Sequence, residues 1–400
     1  MNVVGIIAEY NPMHNGHVYN IKKAKELSHA DYVIVIMSGS FTEQGNISCI
    51  NKMDRAKMAI ENGADMVIEL PTIYAISSAE NFAYGAVNVL DGLGVVTHLA
   101  FGAESENICD LEKIANTYLE HKNEIISKTK KYAKEGINSG EAYSKALSEF
   151  LDNDTVDFSM PNNILGIEYI KALISLKSQI KPVLVHRQVS CHNDSEILNS
   201  GEFASSTSIR NVLCNNTFTL EEKLNKIKDV VPQNTYNYLR NNAFNTNENM
   251  WNFLKFEITK LNSDGLKKIY EVSEGLENKL YKQSLVCNSY EEFIFSVKSK
   301  RYTLSKIKRI CIYILLGITK EKYTMLNGVN YARVLKIKEN SINLLSKISS
   351  NKASLLITKV TDDIISSLDE KTASSIKLDI LANNLFNISN LDYTNKITQP

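Results

Sequence analysis

Through its first hundred residues the chain alternates short runs of β-branched residues with helical segments, and that alternation leaves few folds open. The strand-like runs are NVVGIIAEY (2–10), DYVIVIMSG (31–39), DMVIELP (65–71) and THLAFG (97–102). Between them stand GHVYNIKKAKELS (16–28), NKMDRAKMAIENG (51–63) and SAENFAYGAVNVLDGLG (78–94), each with apolar residues three and four apart, two of them closed by glycine. Such runs joined by helices predict an α/β fold, a Rossmann-like parallel sheet wrapped by helices. Sheets of this kind bind ligands beyond the carboxyl ends of their strands, so the loops after each run are where chemistry is expected.

The text from about 107 to 150 is polar, helical and rich in Lys and Glu, and reads as an insertion over the sheet or its flank. The pattern then resumes. PNNILGIEYIKALISL (161–176) reads as a loop and then a helix, PVLVHRQV (182–189) as a strand, and SSTSIRNVL (205–213) as a capped helix start. Beyond about 218 the alternation stops, and NMWNFLKFEITKL (249–261) and LSKIKRICIYILLGI (304–318) predict a mainly helical second domain. The tail segments ASLLITKV (353–360) and SIKLDILANNLF (375–386) add a small α/β piece. Four hundred residues exceed what one core usually organises, so two domains are expected, 1–216 and 217–400.

Lys and Arg number 45, and so do Asp and Glu, so any nucleic-acid surface must be a local patch. The six cysteines form no CxxC pair and no Cys/His ligand spacing, which points to reduced thiols, with neither a zinc site nor a disulfide framework. No basic leader with a cleavage site opens the sequence, and no apolar stretch reaches the ~18 residues of a membrane span. The expectation is a cytoplasmic protein without a membrane partner.

The first turn carries the chemistry. In AEYNPMHNGH (8–17) a strand gives way to a turn with Pro12 and then to a helix beginning near Gly16. That junction exposes unpaired backbone N–H groups and the positive end of a helix dipole, a ready anion site. His14 and His17 flank it, and as donors they can stabilise charge that builds on a phosphate during displacement. Gly16 removes a side chain where backbone and ligand approach most closely. HxGH alone is equally compatible with two histidines that hydrogen-bond their own turn. No third His, Cys or carboxylate stands at a matching offset, so no metal site is expected there. Neither GxxxxGK[ST] nor GxGxxG occurs.

A second phosphate signal is SSTSIR (205–210). Ser206 and Thr207 offer hydroxyls at a helix start, and Arg210 lies about one turn in, so all three can converge on one phosphate. By itself the segment also reads as an ordinary cap with a surface arginine.

Together the two turns resemble the nucleotidylyltransferase superfamily related to class I aminoacyl-tRNA synthetases. The likeness goes further: GIIAEYNPMHNGHVYNI, VIVIMSGSFTEQG, KMDRAKMAIENGADMVIELP, AENFAYGAVNVLDGLG, AFGAE, PNNILGIEYIKAL, HRQ, FASSTSIR and KSKRYTLSKIKRICIYILLGI resemble, in that order, the bacterial tRNA(Met) cytidine acetate ligases. The resemblance implies a two-step, ATP-dependent ligase. Acetate attacks the α-phosphate of ATP, giving acetyl-adenylate and pyrophosphate, and the acetyl group then passes to N4 of the wobble cytidine of elongator tRNA(Met), releasing AMP. It implies that 1–216 is the ATP-binding catalytic domain and 217–400 the tRNA-binding domain. It also implies that the loop Ile7, Ala8, Glu9, Tyr10, Asn11, Pro12, Met13, His14, Asn15, Gly16, His17, Val18, Tyr19, Asn20 encloses ATP, with His14 and His17 catalytic on its phosphates. Gly102, Asn162 and Arg187 match positions that contact the nucleotide, and Ser206, Thr207 and Arg210 the phosphate turn. Mg2+ is expected to accompany ATP without a dedicated protein site.

The residue types agree with those assignments. A side chain at Gly102 would block an adenosine crossing the sheet edge, Asn162 offers both a donor and an acceptor, and Arg187 can offset phosphate charge. They also suit a turn glycine, a helix cap and a surface arginine. One departure stands out: where the family commonly reads Gln-Arg-Gly after the second strand, this chain has Glu43-Gln44-Gly45, and a positive charge is missing.

For the RNA, KSKRYTLSKIKR (298–309) holds Lys298, Lys300, Arg301, Lys306, Lys308 and Arg309 without one acid, and Tyr302 among them. Basic side chains interleaved with an aromatic suit phosphate contacts and stacking on an unpaired base, although a charge run is also what a solvated helix face looks like. Two other functions fit the same turns: an adenylyltransferase acting on a small phosphorylated acceptor, and a non-catalytic nucleotide- or RNA-binding protein.

Overall fold

The computed structural model describes residues 1–137, 139–151, 160–186, 203–350 and 355–390. Its frame is a seven-stranded sheet: β1 (Val3–Ala8), β2 (Tyr32–Ser38), β3 (Met66–Leu70), β4 (His98–Ala103), β5 (Lys181–His186), β6 (Tyr331–Ile337) and β7 (Leu355–Ile357). The order across the sheet is β5-β4-β1-β2-β3-β6-β7. The first five strands are parallel, with Val4 beside Val33 of β2 on one side and His98 of β4 on the other. The chain winds outward from β1 in one direction through β2 and β3, then crosses to β4 and β5 on the opposite side. This reversal leaves a crevice at the carboxyl ends of β1 and β4.

Both faces of the sheet are covered, which is why the strands read as unbroken apolar runs. Val3, Ile34, Ile36 and Ile68 point into one core, beneath the helices Ala79–Gly92 and Pro161–Ser175. Val4, Ile6, Val33, Val35 and Val67 point into the other, beneath Asn15–Leu27, Lys52–Glu61 and Ser206–Cys214. Of the three helices between 108 and 148, Ile108–Glu120 packs on Pro161–Ser175, so the Lys- and Glu-rich insertion covers the first face. The expected loop at 161–163 is already helix, because Pro161 suits the first helical position and the Glu104 carboxylate receives the Asn163 N–H at 2.9 Å.

The sheet runs across the expected cut at 216. β6 pairs antiparallel with β3, placing Met66 opposite Ile337, and β7 pairs parallel with β6. The first core runs without a break into the helical half, through Trp251, Phe293, Ile310 and Phe386. YARVLKI escapes a reading by hydrophobic pattern because Arg333 and Lys336 interrupt it. Arg333 is held by a buried counter-charge from far upstream: its Nη1 lies 3.1 Å from Glu69 Oε2, while Lys52 Nζ lies 2.5 Å from Oε1. On the same seam Asp379, from the helix Glu370–Ser389, accepts the Thr72 N–H at 2.8 Å and the Tyr331 hydroxyl. Among the described residues no helix is long and apolar enough to cross a membrane.

Candidate active site

The turn that leaves β1 bends sharply at Tyr10, whose φ of 48° lies in the left-handed region, and delivers His14 as the N-cap of the helix Asn15–Leu27. The His14 N–H donates to His17 Nδ1 at 3.2 Å. With Nδ1 an acceptor, neutral His17 carries its proton on Nε2, where it can donate to an anion. The two rings stack 3.6 Å apart, and Tyr10 meets His17 edge-on at 5.0 Å. Gly16 is fixed by this pair, since a Cβ there would sit 3.0 Å from the His14 ring. The helix start is anchored from outside, where Asn15 donates its N–H to Val230 O and its amide to Asp229 O, both at 2.9 Å.

The distant SSTSIR segment forms the start of the helix Ser206–Cys214, with Ser205 Oγ accepting the Ser208 N–H at 3.0 Å. Arg210 then reaches back 199 residues: Nη1 donates to Asn11 O at 2.8 Å and Nη2 to Thr207 Oγ1 at 3.1 Å. One guanidinium therefore ties the two turns together.

Between them opens a cleft of about 270 Å³ at the carboxyl ends of β1, β4 and β5. Ile7, Ala8, Glu9, Tyr10, Asn11, His14, Gly16, His17, Tyr19 and Asn20 line it, together with Gly102, Asn162, Ser206, Thr207 and Arg210. Four residues of the expected loop do not. Met13 and Pro12 are buried behind the turn, Asn15 is taken up by the Asp229–Val230 backbone, and Val18 packs against the second core. Arg187 lies outside the described residues. The Asn162 amide is turned onto the Glu104 carboxylate. Among the described residues no three His, Cys, Asp or Glu side chains gather as a metal-ligand set.

The family model for HIGH nucleotidyl transferases matches residues 1–399. A tRNA(Met) cytidine acetate ligase of Thermoanaerobacter sp. (strain X514) is 39% identical over 367 residues, covering 90% of this chain and 89% of the relative. One of Clostridium perfringens (strain ATCC 13124) is 37% identical over 400 residues, covering 98% of this chain and 96% of its own. The chain belongs to the tRNA(Met) cytidine acetate ligase family. A crystal structure of Thermotoga maritima TmcAL bound with alpha-thio ATP matches at a TM-score of 0.87 and 30% identity, over 98% of this chain and 95% of that one.

In this member of the ligase family, several residues of the site lie inside the motifs of the resemblance without having been singled out as site residues. Arg55 is fully buried on the apolar face of Lys52–Glu61, where it donates to Ile50 O (2.9 Å), Glu9 O (2.6 Å), Ser38 O (3.0 Å) and Gly39 O. Burial lowers its pKa to about 10, and the nearby Glu9 carboxylate opposes that shift. Its hydrogen bonds bind the ends of β1 and β2 into one rim. The sequence signal was an arginine on the buried helix stripe that also carries Lys52, Ala56, Met58 and Ala59. Phe82, Phe101, Leu165 and Tyr169 form the apolar wall, from positions whose residue types alone suit a core.

The ligase-family departure at Glu43-Gln44-Gly45 meets its counterpart here. Glu43 lines the cleft, and Arg309, from the helix Leu304–Leu315, brings Nη1 to 3.3 Å from Glu43 O and 3.5 Å from Glu43 Oε1. Burial lifts Glu43 to about 7, and Arg309 opposes the rise. Gly45 has φ of +74°, and a Cβ there would lie 2.5 Å from Arg309 N, so the turn rests directly on the helix backbone. Lys308 donates to Asn46 Oδ1 at 3.0 Å.

The basic run thus divides. Lys298, Lys300 and Arg301 are exposed, with Arg301 paired to Glu274. Lys308 is half-buried and Arg309 buried, both engaged with the loop after β2. Lys306 stands over the Tyr302 ring at 5.4 Å. Tyr302 is buried and donates to Ser273 O at 2.9 Å, so its ring offers no free face for a base.

Proposed function

We propose that this chain is an ATP-dependent ligase that activates acetate as acetyl-adenylate and transfers the acetyl group to N4 of the wobble cytidine of elongator tRNA(Met). The observation that carries this reading is the convergence of the HxGH and SSTSIR turns on one cleft, bridged by Arg210, in a chain of this family. The triphosphate lies over the start of Asn15–Leu27. His17, with Nδ1 occupied by the His14 N–H, presents Nε2–H to the charge that develops as acetate displaces pyrophosphate, and His14 stacks on it to hold the ring. Ser206, Thr207 and Arg210 take the phosphate from the opposite side. The adenosine follows the sheet edge past Gly102 and Asn162, with Arg187 as a further contact. Mg2+ enters with ATP as part of the substrate.

Lys298, Lys300 and Arg301 meet the RNA phosphates on the outer surface, while Lys306 sits at the junction. Lys308 and Arg309 belong to this reading as supports of the cleft rim. The wobble base must leave the anticodon stack to reach the adenylate, as in enzymes that extract a base before acting on it. The test is incubation with ATP, labelled acetate and bulk tRNA, followed by nucleoside analysis. Labelled N4-acetylcytidine is expected; acetate-dependent ATP–pyrophosphate exchange without any labelled nucleoside would leave adenylation and remove the tRNA step.

A further inference from the structure

We infer that Glu9 is the general base of the transfer step: its carboxylate receives the cytosine N4 amine and takes one of its protons as the acetyl group moves. This rests on the ligase reading above. The exocyclic amine of cytosine is a poor nucleophile, because its lone pair is delocalised into the ring, and the nitrogen must shed a proton as the new bond forms. The C–N bond forms at the acetyl carbon, the bond from that carbon to the phosphate oxygen breaks, AMP leaves with the electron pair, and the amine proton passes to Glu9. A carboxylate is also the usual acceptor for a cytosine amino group.

Two carboxylates line the cleft among the described residues, Glu9 and Glu43. Glu43 faces Arg309. Glu9 is half-buried at the end of β1, and among the described residues no cation forms an ion pair with it. Its Oε1 accepts the Glu43 N–H at 2.7 Å, which ties the carboxylate to the loop after β2. That loop rests on Leu304–Leu315, the helix that follows the exposed Lys298 and Lys300. Glu9 therefore stands in the cleft lining beside the loop that joins the cleft to the helix carrying the end of the basic run.

The surroundings suit a base. Arg55 and Arg210 lie close enough to favour the charged form, but their nitrogens are bonded to backbone carbonyls and to Thr207 and not to the Glu9 oxygens. Burial outweighs the Glu43 N–H and both arginines and raises Glu9 above its ordinary value, which strengthens it as a proton acceptor. From Pro161–Ser175, Tyr169 also faces Glu9 and Glu43, its hydroxyl kept neutral by burial and by those two carboxylates.

The test compares wild type with E9Q and E9D in two assays: acetate-dependent ATP–pyrophosphate exchange without tRNA, and single-turnover transfer from preformed labelled acetyl-adenylate to bulk tRNA. The amide oxygen of E9Q can still accept the Glu43 N–H, so the loop keeps its anchor. E9Q is expected to lose at least ~10²-fold in transfer, at least tenfold more than it loses in exchange. Wild-type transfer should rise with pH as Glu9 deprotonates, at a pH above the ordinary carboxylate value of 4.5, and then level off. E9Q should be flat over that range, and E9D should recover part of the rate with the rise retained. Transfer by E9Q within threefold of wild type overturns the inference, as does an equal loss in both assays, which would make Glu9 a nucleotide-binding residue only. Wild-type enzyme without acetate-dependent exchange would instead overturn the ligase reading, and this inference with it.

Discussion

The turn at residues 9–17 and the basic run at 298–309 look alike in sequence, since each gathers chemically active side chains within a dozen residues. In the fold they part. The turn keeps its active groups because local geometry settles them: His17 Nδ1 is occupied by the N–H three residues earlier, and Gly16 leaves the space in which the His14 ring stacks. The basic run is decided by tertiary packing, which exposes Lys298 and Lys300 and draws Lys308 and Arg309 onto the loop after β2. Spacing alone marks the histidine turn far better than it separates an exposed cation from a buried one.

The sharpest way to break this contrast is at His17. If its Nε2–H meets the phosphate charge of the transition state, H17A should lower acetate-dependent ATP–pyrophosphate exchange by ~10² or more, with a smaller change in apparent ATP affinity. Exchange at the wild-type rate would reduce the histidine pair to a hydrogen-bonded cap.

A smaller effect is expected at Arg309, and of a different kind. R309M leaves the partly buried Glu43 carboxylate without its cation, and the urea midpoint should fall by the equivalent of about 2 kcal/mol. The sign with pH follows from the raised pKa. The ion pair counts only when Glu43 is ionised, while the bond to Glu43 O does not titrate, so the difference between R309M and wild type should be smaller well below pH 7 and largest above it. The salt dependence of tRNA binding should be unchanged. Were R309M to flatten that dependence while leaving stability intact, the division of the basic run would be wrong.

What could be read in the chain follows the same boundary. Strands β1 to β5 announce themselves because a parallel sheet covered on both faces requires continuous apolar runs, and the HxGH and SSTSIR turns because helix starts need a restricted set of residues. β6 was hidden: its pairing partner lies more than 250 residues upstream, and Arg333 makes sense only once Glu69 is beside it. Arg55 was hidden for a similar reason. Its acceptors are carbonyls at the ends of two strands, and carbonyls leave no mark on a side-chain pattern. The departure at Glu43-Gln44-Gly45 reads only as an arginine missing at Gln44, and the pairing of Glu43 appears only when Arg309 arrives from the other half of the chain. Local rules therefore expose the two helix-start turns of the cleft, and long-range pairing builds its rim.

The smallest effect is expected at the exposed end of the basic run. If Lys298 and Lys300 each neutralise one RNA phosphate, K298A/K300A should weaken tRNA binding and make the slope of log affinity against log salt shallower by about 1.4, near 0.7 for each phosphate no longer neutralised on single-stranded RNA and closer to 0.9 on duplex. Arg301 should contribute less than either lysine, because freeing it for a phosphate means giving up Glu274. R301A is accordingly the finer probe, and its slope should stay within about half a unit of wild type. A change at R301A as large as that of the double lysine variant would mean that the Glu274 pair opens when RNA arrives. The exposed end of the run would then be rearranged by its ligand, whereas the buried end at Lys308 and Arg309 is set before any ligand binds.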